Sequence, residues 1–193
     1  MRNDQIMAEA EAKIVLGIDP GTNIMGYGVI KIFGNHQSLL AYDAIPLSKE
    51  RSPFGKLKLI FDETLNLIKQ HKPNEVALEA PFYGNNVQSM LKLGRAQGAS
   101  MSAALHYDLP ISEYAPRKVK QSITGNGHAS KEQVAGMVSN LLNLDELPSY
   151  LDATDGLAVA ICHQFQQIPG KNKAASNYTS WKSFIKDNPD KME

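Results

Sequence analysis

Ile14-Val15-Leu16-Gly17-Ile18-Asp19 is a short apolar run with a β-branched bias, and it stops on a carboxylate followed at once by Pro20-Gly21. Such a run reads as a buried strand closed by a turn. The next two segments, Met25 to Phe33 and Ser38 to Ile45, alternate well enough to be strands. The loops between the three are short, so they form an antiparallel meander.

Beyond the meander the period changes from two to about 3.6. Ser52-Pro53 opens a helix, with Ser as N-cap and Pro at the first helical position, and Leu57, Ile60, Phe61, Leu65 and Ile68 follow at helical spacing. Glu75-Val76-Ala77-Leu78-Glu79 is a fourth strand. Val87 to Tyr107 is a long helix rich in small residues; Gly94 and Gly98 within it imply a close approach to the sheet or to a partner subunit. Ile111 to Tyr114 is a fifth strand. A short basic helix opens at Pro116 and ends at Gly125-Asn126-Gly127. Ser130 and Gln133 form a capping box for a helix to Leu142, and Asp152 to Gln166 is the last helix. Three strands followed by alternating helices and strands indicate an α/β layered domain with a mixed sheet, an antiparallel meander joined to parallel strands by helical crossovers.

The expected domain spans 14–167. Residues 1–13 read as a polar leader, and 168–193, where Trp181 and Phe184 are isolated apolar residues, as a loosely ordered tail. No run of about 18 apolar residues occurs, so no membrane span is expected, and the N-terminus lacks a signal-peptide core. The single cysteine, Cys162, excludes an internal disulfide framework and suits a reducing cytoplasm. The 20 basic and 20 acidic residues cancel, which argues mildly against a nucleic-acid partner. Between Pro81 and Lys131, however, six Lys/Arg face only two acids, so a neutral total can hide a basic face.

Four acids stand out. Asp19 and Glu79 each close an apolar strand, and in open α/β sheets sites gather at the carboxyl ends of strands. The ordinary alternatives are an Asp starting a turn and a Glu facing solvent. Asp152 and Asp155 share one face of the last helix by i, i+3 spacing, where helix capping is the ordinary reading. Yet Leu157 to Cys162 is almost wholly apolar, so that helix is buried and its acidic end lies near the sheet. If the four converge they repel each other, and a cation between them relieves the repulsion. Oxygen-only ligation suits Mg²⁺ or Mn²⁺; no Cys/His pair has zinc spacing. Two such ions can hydrolyse a phosphodiester.

Taken together, Gly17-Ile18-Asp19-Pro20-Gly21, Glu79 before Ala80-Pro81-Phe82, Leu91 to Gly98, Glu113 to Gln121, Gly125-Asn126-Gly127 with Lys131, and Asp152-Ala153-Thr154-Asp155-Gly156-Leu157-Ala158 resemble the RuvC Holliday junction resolvases. The match is collinear from about Ile14 to His163. The resemblance implies a ribonuclease-H-like fold and a homodimeric endonuclease that nicks four-way DNA junctions in symmetric pairs, with a branch-migration motor as partner. It implies Asp19, Glu79, Asp152 and Asp155 as catalytic ligands of two Mg²⁺ ions. It also implies Lys120 and Lys131 near the scissile phosphate and Phe82 stacked on an opened base, with Tyr83 as a neighbour able to share that role. Arg117 and Lys118 are further candidates for backbone contacts.

Two other classes compete. One is a junction-binding module without nuclease activity, or a related nuclease acting on other branched or single-stranded nucleic acid; four acids would repel phosphates for no gain in a pure binder. The other is an actin-like or sugar-kinase-like ATPase, whose phosphate loop also follows a strand as Gly17 to Thr22 does. Such proteins need two lobes, and 193 residues are too few.

Overall fold

The computed structural model describes residues 12–34, 36–81, 86–144 and 150–167. Residues 1–11 of the expected leader, the expected tail, and Phe82 and Tyr83 lie outside the described residues; Lys13, expected to close the leader, instead opens the first strand, paired with Ile32.

Five strands form one mixed sheet in the order β3-β2-β1-β4-β5. β1 (Lys13–Asp19), β2 (Ile24–Phe33) and β3 (His36–Pro46) make the meander, and β4 (Glu75–Glu79) and β5 (Ile111–Tyr114) extend it in parallel from β1. The meander strands outrun their apolar alternation because pairing continues to both ends, from Ile24 opposite Pro46 to Phe33 opposite His36. Gly34 takes a left-handed φ of 58° at that hairpin.

Alternate strand residues feed two cores. Leu16, Ile18, Val29, Val76 and Leu78 pack under α1 (Pro53–His71) and α2 (Val87–Leu105). Val15, Ile30 and Ala77 pack under α3 (Pro116–Thr124), α4 (Lys131–Leu142) and α5 (Asp152–Gln167). The local start signals operate as read from the sequence. Ser52 caps α1 ahead of Pro53, and Ser130 and Gln133 close a reciprocal capping box on α4. Helix α2 stops two residues short of the expected end, because His106 to Asp108 turn out of it and Asp108 adopts a left-handed φ of 53° before β5.

The glycines of α2 do not approach the sheet. A Cβ at Gly94 or Gly98 would meet no described atom within 4 Å. The close approach lies on the opposite face. A Cβ on Gly17 would sit 2.2 Å from the Gly156 carbonyl oxygen, one on Gly26 2.0 Å from that of Asp152, and one on Gly28 2.5 Å from the Leu157 nitrogen. Gly156 in turn rests 2.4 Å, measured from its would-be Cβ, from the Tyr27 backbone. The first turns of α5 therefore lie directly on a bare patch of β1 and β2. That contact fixes where the acidic end of α5 meets the sheet.

Candidate active site

The Ile18–Leu78 pairing of β1 with β4 sets Asp19 and Glu79 side by side at the next position, at the carboxyl ends of adjacent parallel strands. Both follow the α5-facing positions 17 and 77 by two residues, so both point toward α5. Asp155 enters from the first turn of α5. Asp19, Glu79 and Asp155 line one small cleft of about 130 Å³ with Lys120 and Lys131. Asp152 stands at its margin, held by Lys131 at 3.0 Å, while the same ammonium lies 2.8 Å from Asp155. Lys120 reaches in from α3 and donates to the Ala129 carbonyl at 2.9 Å. Of the nine residues singled out in the sequence, six are thus brought together. Arg117 and Lys118 are exposed on α3 and line no part of this cleft, and Phe82 is outside the described residues.

The electrostatics are those of crowded carboxylates. Burial, then the charge of Asp155, pushes the Asp19 carboxyl up to about 7, against the pull of Lys131. Burial, then Asp19 and Asp155, pushes Glu79 up to about 8. Asp155 is also raised, chiefly by burial, although its bond to Lys131 draws it down. Burial works to lower the Lys131 ammonium, but its bonds to Asp155 and Asp152 outweigh that and leave it raised. Lys131 and Lys120 offset the crowding only in part, which leaves these carboxyls raised.

The donor set fits hard divalent cations, being oxygen only and carrying uncompensated negative charge. Among the described residues, no three His, Cys, Asp or Glu side chains surround a common ion position as they stand. The Lys131 ammonium lies between Asp152 and Asp155 and pairs with both.

A second buried polar cluster escaped the sequence reading. His163 Nδ1 lies 2.8 Å from the Tyr114 hydroxyl, and its Nε2 faces Glu75. Burial would raise Glu75, but hydrogen bonds from Lys13, His163 and Gln167 overcome it and hold the carboxyl down at about 2. This network ties α5 to β4 and β5, running from Glu75 at the start of β4 to Tyr114, which pairs with Glu79. Its partners are 88 and 49 residues apart in sequence, so no local pattern announces it.

The model of the crossover junction endodeoxyribonuclease RuvC matches residues 15–163. The chain belongs to the RuvC family. It is similar to the RuvC of Christiangramia forsetii, at 53% identity over 93% of each chain, and to that of Bacteroides fragilis, at 51% identity over 94% of this chain and 96% of the relative. Thermus thermophilus RuvC, solved in complex with a Holliday junction substrate, superposes with a TM-score of 0.74 at 34% identity, covering 80% of this chain and 94% of that one. The yeast mitochondrial Holliday junction resolvase Ydc2 shares the fold alone, with a TM-score of 0.56 at 13% identity. The ribonuclease-H-like mixed sheet expected from the sequence is the fold of these RuvC neighbours. Among the described residues, no helix is long and apolar enough to cross a membrane.

Proposed function

We propose that this RuvC-family chain is a divalent-metal-dependent endonuclease that resolves four-way DNA junctions by paired symmetric nicks. The observation that carries the reading is the meeting of Asp19, Glu79 and Asp155 with Lys120 and Lys131 in one cleft. A protein that only bound junctions would gain nothing from raised, mutually repelling carboxylates where phosphates must come.

Asp19, Glu79, Asp152 and Asp155 are the residues to hold two Mg²⁺ ions, with Mn²⁺ as a substitute. When bound, such ions supply an activated water and charge stabilisation for the departing oxygen of a phosphodiester. The chain's own side chains do the rest. Lys120 and Lys131 offer point charges to the non-bridging oxygens of the scissile phosphate. Lys120 is steadied for this by its bond to Ala129, and Lys131 is freed for it once its carboxylates are otherwise neutralised. A bond forms between water oxygen and phosphorus, the bond from phosphorus to the 3′ oxygen breaks, and the ends are 5′-phosphate and 3′-hydroxyl. The water's proton leaves to solvent or to a cleft carboxylate. Phe82, with Tyr83 beside it, is the residue to stack on a base opened at the crossover. Arg117 and Lys118, exposed on α3, can only contact the backbone from outside the cleft.

A two-fold dimer matches the two-fold-like symmetry of a junction and explains paired nicks. The same reading puts the protein with DNA in the cytoplasm, alongside a branch-migration motor. The test is the purified protein with a synthetic four-way junction, a plain duplex and a fork, with and without Mg²⁺. Selective, Mg²⁺-dependent paired nicking of the junction is expected. Equal cutting of all three substrates, or cutting in chelator, overturns the reading.

A further inference from the structure

A cavity larger than the acidic cleft, a trough of about 450 Å³, lies on the other face of the sheet, between the N-terminal ends of α1 and α2. Four cations line it, Arg51, Lys56, Lys92 and Arg95, and no lining residue is acidic. In a chain with equal numbers of acids and bases this is a marked local excess. The floor is apolar, made by Leu57, Ile60 and Leu93, and the Phe54 ring stands at the mouth, 79% exposed. Lys56 is fixed in place by the Thr22 carbonyl at 3.0 Å and the Asn23 amide oxygen at 3.2 Å.

Thr22 and Asn23 belong to the turn that follows Asp19. Three Cα-to-Cα steps lead from Asp19 to Thr22, so at most about 11 Å parts their Cα atoms. That is roughly three nucleotide steps along a stacked strand. On the α2 side, Ser89 and Lys92 stand in the first two turns of the helix, seven and ten residues after Phe82 in sequence.

We infer that this trough is a second DNA-contact site, which takes the backbone of the strand continuing past the acidic cleft and seats one unstacked base between Phe54 and the Leu57–Leu93 floor. The inference rests on the junction-cutting reading and extends it to a site on the opposite face. Phosphates suit a cationic rim without acids, and a base suits an apolar floor under an exposed ring. A second copy of the chain suits it poorly: a two-fold contact through this face would set like charges against each other.

The test measures binding to a four-way junction in chelator, by fluorescence anisotropy over a series of salt concentrations, without cleavage. Arg51→Ala with Lys92→Ala is compared with the unaltered chain and with Lys31→Ala, an exposed lysine on β2 outside the trough. If both side chains hold phosphates, the double variant binds about tenfold more weakly and its salt slope falls by about 1.4 to 1.8. Phe54→Ala keeps the slope but loses the quenching of a fluorescent adenine analogue placed one to three nucleotides from the crossover. Thermal melting and sedimentation of each variant accompany the binding. Unchanged slope and affinity in the double variant, with the unaltered chain binding normally, overturn the inference and leave the nuclease reading intact. A change in oligomeric state without a change in slope also overturns it, making the trough a subunit contact. Absence of junction binding by the unaltered chain sinks both.

Discussion

The Lys131 ammonium lies 2.8 Å from Asp155 Oδ2, at the rim of the cleft that Asp19 and Glu79 line from the sheet. On the proposed metal-dependent reading, the lysine and a divalent ion compete for the same oxygens. Lys131→Ala removes one rival. The variant is expected to bind Mn²⁺ several-fold more tightly by titration calorimetry, because more uncompensated charge remains. Its cleavage rate is expected to fall about 100-fold, since the phosphate loses a positive contact. Weaker Mn²⁺ binding by the variant would show that lysine and ion do not compete.

The two acids of α5 are not equivalent. Asp155 lines the cleft with 20% of its side chain exposed, whereas Asp152 stands outside the lining at 33%. Asp155→Asn is expected to abolish cleavage, as is Asp19→Asn, with junction binding retained in both. Asp152→Asn is expected to lower cleavage by a smaller factor, about 10- to 100-fold. Single-turnover cleavage assays check the ranking; an Asp152 variant as dead as the Asp155 variant would make Asp152 an equal ligand.

The raised carboxyls couple folding to pH. Asp19 at about 7 and Glu79 at about 8 stay protonated in the folded protein where the unfolded chain has already released its protons. Folded chains then bind more protons than unfolded ones, so stability falls as pH rises from about 4 toward 8. The effect is on the order of a few kcal/mol, reduced because both groups keep an open edge to the cleft. In chelator, the melting temperature is expected to drop over that range, and Asp19→Asn with Glu79→Gln to flatten the curve. Added Mg²⁺ should raise it more at pH 8 than at pH 6. A flat profile in chelator for the unaltered chain would contradict the crowding of these acids.

Much of this was legible in the sequence because its cues are local. Ser52-Pro53, the Ser130–Gln133 box and the apolar runs ending at Asp19 and Glu79 each carry their own stereochemistry, and the elements stand where those cues put them. The convergence of the acids was an inference from strand ends and helix burial, and the register supplies it. Of the two approaches the α2 glycines imply, to the sheet or to a partner subunit, the sheet is not the one they make. Attention went to Gly94 and Gly98, whose Cβ positions are open, while Gly17, Gly26 and Gly28 carry the close contact. A readable signal existed: Gly26 and Gly28 alternate on β2 beside Gly17 on β1, leaving one face of two strands without side chains. The basic trough was illegible because its cations come from two stretches of chain about 40 residues apart, and only their packing gathers them.

The glycine contrast is itself measurable. Gly17→Ala forces its new methyl into the α5 backbone and is expected to cost about 2–4 kcal/mol in denaturant unfolding. Gly98→Ala meets open space within a helix and is expected to add about 0.5–1 kcal/mol. Equal effects from the two would refute the close contact of α5 with β1.

That contact has a consequence for how the nuclease can vary. Main chain rests on main chain there, with little more than the Ala160 methyl and the tip of Leu157 beside it, so almost no bulk could be exchanged for a larger or smaller one. The gap between the sheet-borne and the helix-borne acids is thus a rigid dimension of the scaffold, like the throat of a calliper locked at one setting. Lineages can alter what grips the DNA around it, but retuning the throat itself demands rebuilding both jaws at once.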